Sequence, residues 1–393
     1  LIGFLYGWSF FAVIQTGTIA AVGVAFGKFA AYLVPSLGDQ NILYEIGAFK
    51  LKAAQLVSIA TIILLTFSFG PYFLIMFGNF TPWQMFGLIC LSGFSLAGVG
   101  FSVSHDALHG AYSKNTKINK LLGLTFPLIG VSDYLWKIKH NVMHHTFTNI
   151  YEKDEDLSVT KFLRMTPVAP HKPIHRIQHV LAFFAYSLLS VGWVFLFDFK
   201  KIFSHISSKG SPYSGLPKAE LLKIAAFKIF YLIYALALPL IFLPLAWWQV
   251  LGGFIAMHLI TGFTITIIFQ LAHIVEGLEY PEPEEGAIDN AWVVHQMETT
   301  ANFAVNNKFI TWFVGGLNFQ VEHHLFPKIC SIHYSAISKI VAKTAEEHGI
   351  RYHTEHSFWG AIASHYRILR KYSKPNAQMI DTEKDLAEQL QMA

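Results

Sequence analysis

A chain of 393 residues that is 53% hydrophobic and only 14% charged reads as a membrane protein, since soluble domains carry about 25% charged residues. The net charge of +4 argues against a nucleic-acid surface. Its basic residues gather at 114–120, 137–139, 171–176, 200–201 and 368–374, as flanks facing anionic lipid or the cytoplasmic side. The two cysteines, Cys90 and Cys330, have no metal or redox spacing and exclude a disulfide framework.

The chain starts at Leu1 without a basic leading segment, so no cleavable signal peptide is expected. Bilayer-crossing helices need roughly 17–25 apolar residues. Such runs fall at about 1–34, 53–77, 82–103, 222–246 and 248–272. A shorter, more amphipathic run near 179–198 is either interfacial or re-entrant. Two long polar segments, about 104–178 and 273–393, hold nearly all the charge and most of the nineteen histidines. The expected fold is an all-α integral membrane protein. Helical hairpins span the bilayer and carry a helical, cytoplasmic cap made from two segments far apart in sequence. From about 376 the chain reads as a solvated polar tail.

The histidines are clustered. In SHDALHG, His105 and His109 are four apart, so on a helix both imidazoles face one way. KHNVMHHTFTN repeats that spacing with His140 and His144 and adds His145. Adjacent helical residues diverge by about a quarter turn, so such a pair can serve two metals. QVEHH pairs His323 with His324, with Gln320 about one turn before them. His273, in FQLAHIVE, ends the last apolar run. A single HxxxH is more often a helix-surface coincidence, and a lone buried histidine is usually a hydrogen-bonded core residue. Three clusters just outside apolar helices point instead to metal. Imidazole suits Fe, Zn, Cu and Ni. Eight imidazoles exceed the four ligands of one zinc and suit two metals, each with an open position for substrate or oxygen.

HDALHG, HNVMHH and QVEHHLFP match, in order and spacing, the three histidine boxes of membrane fatty acid desaturases, and the chain resembles that family from about Gly70 to about Lys374. Gln320, in place of the first histidine of the third box, resembles the front-end and bacterial linoleoyl-CoA-type branch. The resemblance implies two non-haem iron ions, O2 as co-substrate, and conversion of a saturated C–C bond in an acyl chain, CoA- or lipid-linked, to a cis double bond. It implies His105, His109, His140, His144, His145, His273, His323 and His324 as iron ligands. Gln320 is expected to hydrogen-bond a ligand or a bound water instead of ligating directly.

Carboxylates near the boxes fit a supporting role, accepting the free ring N–H of ligating histidines. Asp106, Asp154, Asp156 and Glu322 are candidates, and Asp106 and Glu322 are favoured because they lie inside boxes. Solvated loop charge is the alternative for each. In WVVHQMETTANF, His295, Gln296, Thr299 and Asn302 recur at helical spacing. They either support the metals, line an acyl channel, or form the polar face of a cap helix. Beside Trp136, Lys137 and Lys139 either bind an anionic carrier headgroup or snorkel. Haem, iron–sulfur and dinucleotide motifs are missing from the sequence, which places the reducing equivalents on a separate ferredoxin- or cytochrome-type donor with its reductase.

Residues 1–67 resemble two helices of amino-acid/polyamine permeases, as in a chimaera, although Gly17, Ala20, Gly23 and Gly27 equally suit close helix packing in lipid. The expected organisation is 1–67 outside the catalytic unit, 68–375 as the desaturase domain and 376–393 as the tail. The rival functions are a membrane di-iron hydroxylase and, on 1–67 alone, a transporter.

Overall fold

The computed structural model describes residues 42–46, 49–52, 69–157, 162–207, 212–283, 287–288 and 290–375. The expected apolar run at 1–34, most of the run at 53–77 and the tail at 376–393 lie outside the described residues. The chain divides into two compact units, Leu1–Leu96 and Ala97–Ala393. In the first, Ile42–Ile46 pairs antiparallel with Phe49–Lys52, followed by the helix Gly70–Phe77 with proline in its first turn.

Among the described residues, Pro82–His109, Lys218–Phe242 and Trp247–His273 are long and apolar enough to cross a membrane. Local chemistry sets their ends. Pro82 opens the first span, where its missing N–H costs nothing. The Thr81 N–H donates to Gln84 Oε1 at 2.9 Å, and the Gln84 N–H to Thr81 Oγ1 at 3.4 Å, a reciprocal cap. Gly110, at φ 76°, closes it, and the Ala111 N–H returns to the Asp106 carbonyl at 2.8 Å. The first span runs past the expected end at 103. Its 28 residues measure roughly 42 Å at about 1.5 Å each, against a hydrocarbon core of about 30 Å. The span is thus about 12 Å longer than that core.

The 179–198 run belongs to two helices, Pro173–Ser187 and Leu189–Ser204, bent by 56° at their junction. Gly262 explains why the bend can pack there. A Cβ on Gly262 would lie 2.4 Å from the Ser187 carbonyl oxygen, so only glycine admits this approach. Lys228 and His258, polar side chains within the spans, are both paired, as lipid demands. Lys228 pairs with Asp198 at 2.9 Å and donates to the carbonyls of Gly130, Trp193 and Val194. His258 sits between the Ser190 and Tyr231 hydroxyls at 2.7 and 2.6 Å.

The cap and span ends share one core that includes Phe101, Trp136, Ile268, Leu271, Phe303, Leu317 and Leu369. Gly315, at φ 59°, lies against the wide π-helical turn Gly100–His105, where a Cβ would meet Ser102 Cα at 2.4 Å. Buried Arg164 ties the C-terminal helix Phe358–Tyr372 down by donating to the Tyr372 and Lys374 carbonyls at 3.3 and 3.0 Å. The fold is mostly helical, but an all-α description is too strict. Asn302–Phe303 pairs in parallel with Thr354–Glu355, because the helix Trp292–Glu298 stops before Asn302 and the chain extends to meet the cap. Asn302 therefore does not continue the helical face of His295 and Gln296.

Candidate metal centre

The first cluster rides the span end Pro82–His109, with His105 closing the π-helical turn. The second lies on the π-helical turn Ile138–His144 and its C-cap His145, a wide-turn geometry frequent at functional sites. The third lies on the short helix Gln320–Leu325, and His273 ends the span Trp247–His273. Elements widely separated in sequence thus bring all eight expected imidazoles together.

Two groups form. One ring nitrogen from each of His105, His109, His140 and His323 lies within 4.8 Å of the others, and so do ring nitrogens of His144, His273 and His324. The adjacent pair His323 and His324 divides between the groups. His145 stands between them, its ring 4.7 Å from that of His323 and 4.4 Å from that of His324. A third grouping, His140, His144 and Asp156, overlaps both. All these histidines are buried except His109, which is half-buried.

The ring nitrogens fit metal. Nε2 of His109, His144, His145, His273, His323 and His324 is buried with no hydrogen-bond partner. Such orphan atoms are costly unless something takes their lone pairs. The outer nitrogens explain why Nε2 is bare. His144 Nδ1 meets the Asp154 carboxylate at 3.0 Å, His273 Nδ1 the Thr299 carbonyl at 3.3 Å, and His324 Nδ1 the Gln296 side-chain oxygen at 2.7 Å. An oxygen that only accepts fixes the proton on Nδ1 and leaves Nε2 as the ligand atom.

Charge agrees. Burial, then repulsion from neighbouring imidazoles, holds His140, His145, His323 and His324 well below the ordinary imidazole value, so they are neutral donors of lone pairs. His144 goes the other way. Burial opposes its charge, but the carboxylates of Asp154 and Asp156 together outweigh burial and raise its pKa. Buried Lys139 is paired with Asp156, so it serves this network and not a carrier headgroup. Trp136 stacks on His140 at 4.3 Å, and Phe269 stands 5.5 Å from the same ring.

The other expected site residues take varied places. Asp106 Oδ1 lies 3.7 Å from His105 Nδ1, beyond hydrogen bonding. Its Oδ2 accepts from the Ser331 N–H and hydroxyl at 3.1 and 2.8 Å, clamping the loop after the third cluster. Glu322 accepts from Asn302 Nδ2 and the Tyr352 hydroxyl, each at 2.8 Å, and burial raises its pKa. Asn302 also receives the Val321 N–H at 2.9 Å, so it braces the helix of the third cluster. Gln320 is buried with its side-chain oxygen unpartnered. His295 is buried with a bare Nε2 but belongs to neither histidine group. Sequence reasoning missed Tyr334, whose hydroxyl is 3.3 Å from His323 Nδ1, and Thr148, whose hydroxyl donates to the His144 carbonyl at 2.7 Å. Thr148 had a signal, standing four residues after His144.

A family model described as fatty acid desaturase matches residues 81–356. The sn-1 linoleoyl-lipid 6-desaturase of Arthrospira platensis is 38% identical over 329 residues, covering 82% of this chain and 87% of that protein. Its namesake from Synechocystis sp. is 38% identical over 320 residues, covering 80% and 88%. An acyl-lipid (8-3)-desaturase of Physcomitrium patens is 33% identical over 311 residues, covering 77% and 63%. The permease likeness of 1–67, and the transporter reading built on it, is not borne out, because small and apolar residues suit lipid-packed helices of any family. The chain belongs to the fatty acid desaturase family and is an oxidoreductase that desaturates fatty acyl chains.

Proposed function

We propose that the eight imidazoles hold two iron ions and that the substrate is a linoleoyl chain esterified in a membrane lipid, desaturated at carbon 6. The bare, buried Nε2 atoms of the two histidine groups carry the metal part of this reading. The names of the two relatives at 38% identity support the substrate part. Bound iron supplies activation of O2 to an oxidant able to take hydrogen from an unactivated methylene. Two hydrogens leave the chain, and two electrons and two protons from a separate donor complete the reduction of O2 to two waters.

The protein's own part is positioning and exclusion. Asp154, the Thr299 carbonyl and Gln296 hold three imidazoles in orientation. Burial keeps bulk water from the reacting bond. Trp136 and Phe269 border the rings of His105 and His140 and offer an apolar wall to an alkyl chain. The cap faces the cytoplasm, in keeping with the basic flanks. The catalytic unit is 68–375, and 1–67 carries no desaturase chemistry.

Expression in a host supplied with linoleate, followed by mass spectrometry of intact lipids, tests the assignment. The expected product is a lipid-bound trienoic chain with a new cis bond at carbon 6, absent in His144→Ala and His324→Ala. A hydroxylated chain, or product formed only on CoA, refutes it.

A further inference from the structure

The two histidine groups differ in what stands behind them. In the group of His144, His273 and His324, every outer nitrogen meets an acceptor, at 3.0, 3.3 and 2.7 Å respectively. The direction of the Gln296 amide is fixed at its other end. Its Nε2 donates to the His145 carbonyl at 3.3 Å, and because a carbonyl only accepts, the amide oxygen is the end that faces His324. In the neutral imidazoles all three protons are therefore held on Nδ1, and all three Nε2 atoms are left without a protein partner.

The group of His105, His109, His140 and His323 is not preset in this way. His105 Nδ1 has no partner, since Asp106 lies 3.7 Å away. Among the described residues, the outer nitrogens of His109 and His140 meet no acceptor, and His323 has only the Tyr334 hydroxyl at 3.3 Å. Nε2 of His105 and Nε2 of His140 face each other at 3.1 Å. Two ligand nitrogens on one metal, each about 2.1 Å from it and at right angles, lie about 3 Å apart, so this contact points both Nε2 atoms at a shared position. A metal entering this group finds the ligand atoms close together but, at His105, His109 and His140, no acceptor among the described residues that holds the proton on the outer nitrogen.

We propose that the centre loads in order: the His144, His273 and His324 group is the high-affinity position, filled first and released last, and Gln296 is the residue that positions it. This rests on the two-iron reading above. Hydrogen-bond partners of ligating histidines are typically worth about 10–100-fold in metal affinity. Three acceptors against one hydroxyl contact therefore separate the two positions by at least about tenfold.

The test is anaerobic titration of the full-length, metal-stripped protein in lipid nanodiscs with ferrous iron against a chromophoric chelator. Wild type is expected to fill in two steps at least about tenfold apart. His109→Ala should delete the weaker step and keep the tighter, and His273→Ala the reverse. Gln296→Leu should weaken the tighter step by about 10–100-fold and spare the weaker. Gln296→Glu keeps an acceptor for His324 but loses the donor to His145, so it should retain the tight step. A role for Gln296 through the His145 carbonyl alone would lose that step in both variants. Two equal steps in wild type, or loss of the tight step in His109→Ala, overturns the proposal even where the Gln296 variants do not accumulate. Protein that takes up no iron at all refutes the two-iron reading instead.

Discussion

Replacing Asp154 by asparagine removes an acceptor from a carboxylate that has none to spare. Oδ2 accepts from His144 Nδ1 at 3.0 Å and from the Asn149 N–H at 3.1 Å, and Oδ1 accepts from the Asp156 N–H at 2.9 Å. All three partners are donors, and Asp154 is buried. Asparagine brings one oxygen and one NH2. If its NH2 takes the Oδ1 place, it faces the Asp156 N–H; if it takes the Oδ2 place, it faces two donors. At least one buried donor is left unmet, at a cost of about 1–3 kcal/mol. The orienting bond to His144 also weakens, which should lower iron affinity by about 10–100-fold. Unfolding of the metal-free protein measures the first effect, and iron titration the second. A variant within about 0.5 kcal/mol of wild type that also retains its iron would show that the Asp154–His144 contact carries no such function.

Gly262→Ala should destabilise by at least about 1–3 kcal/mol, because its Cβ would meet the Ser187 carbonyl oxygen at 2.4 Å; an unchanged unfolding midpoint would contradict that packing. His365 is buried, donating through Nδ1 to the Ile274 carbonyl at 2.6 Å and accepting from the Tyr186 hydroxyl at 2.8 Å. Burial pushes its pKa down from 6.5 to about 4, so its contribution to stability is full above 6.5 and is lost as pH falls towards 4. Between pH 6.5 and 5, wild type should lose about 2 kcal/mol more than His365→Gln, and parallel pH profiles would exclude this. Gln320→Ala should reduce product formation less than His323→Ala, and equal loss would make the unpartnered Gln320 oxygen essential.

The histidine clusters were legible because helical spacing is local. Four-residue spacing put His105 with His109, whose rings lie 4.6 Å apart, and His140 with His144, at 5.1 Å. The end of the first span at Gly110 was not foreseen, since hydropathy alone stopped the run at about 103. Among the described residues, the apolar runs at 82–103, 222–246 and 248–272 gave the three candidate spans to within about six residues, since lipid thickness sets their length. The π-helical turns were not legible. They depend on contacts such as Gly315 against Ser102, made between segments far apart in sequence.

The supporting residues show where sequence proximity misleads. Asp106 and Glu322 are the carboxylates nearest to box histidines in sequence, each adjacent to one. On a helix, adjacent residues point about 100° apart and do not face each other. Adjacency is thus a reason for Asp106 and Glu322 to turn elsewhere, and they bind Ser331 and the Asn302–Tyr352 pair. Asp154 has no such constraint. It follows a loop that turns through positive φ at Asn149 and Glu152, 58° and 63°, and so folds back onto the outer nitrogen of His144. Gln296 reaches His324 from a different helix altogether. A side chain that supports a helical ligand must come from a neighbouring segment or a reversing loop. Which segment does so is decided by tertiary packing, beyond the reach of motif spacing.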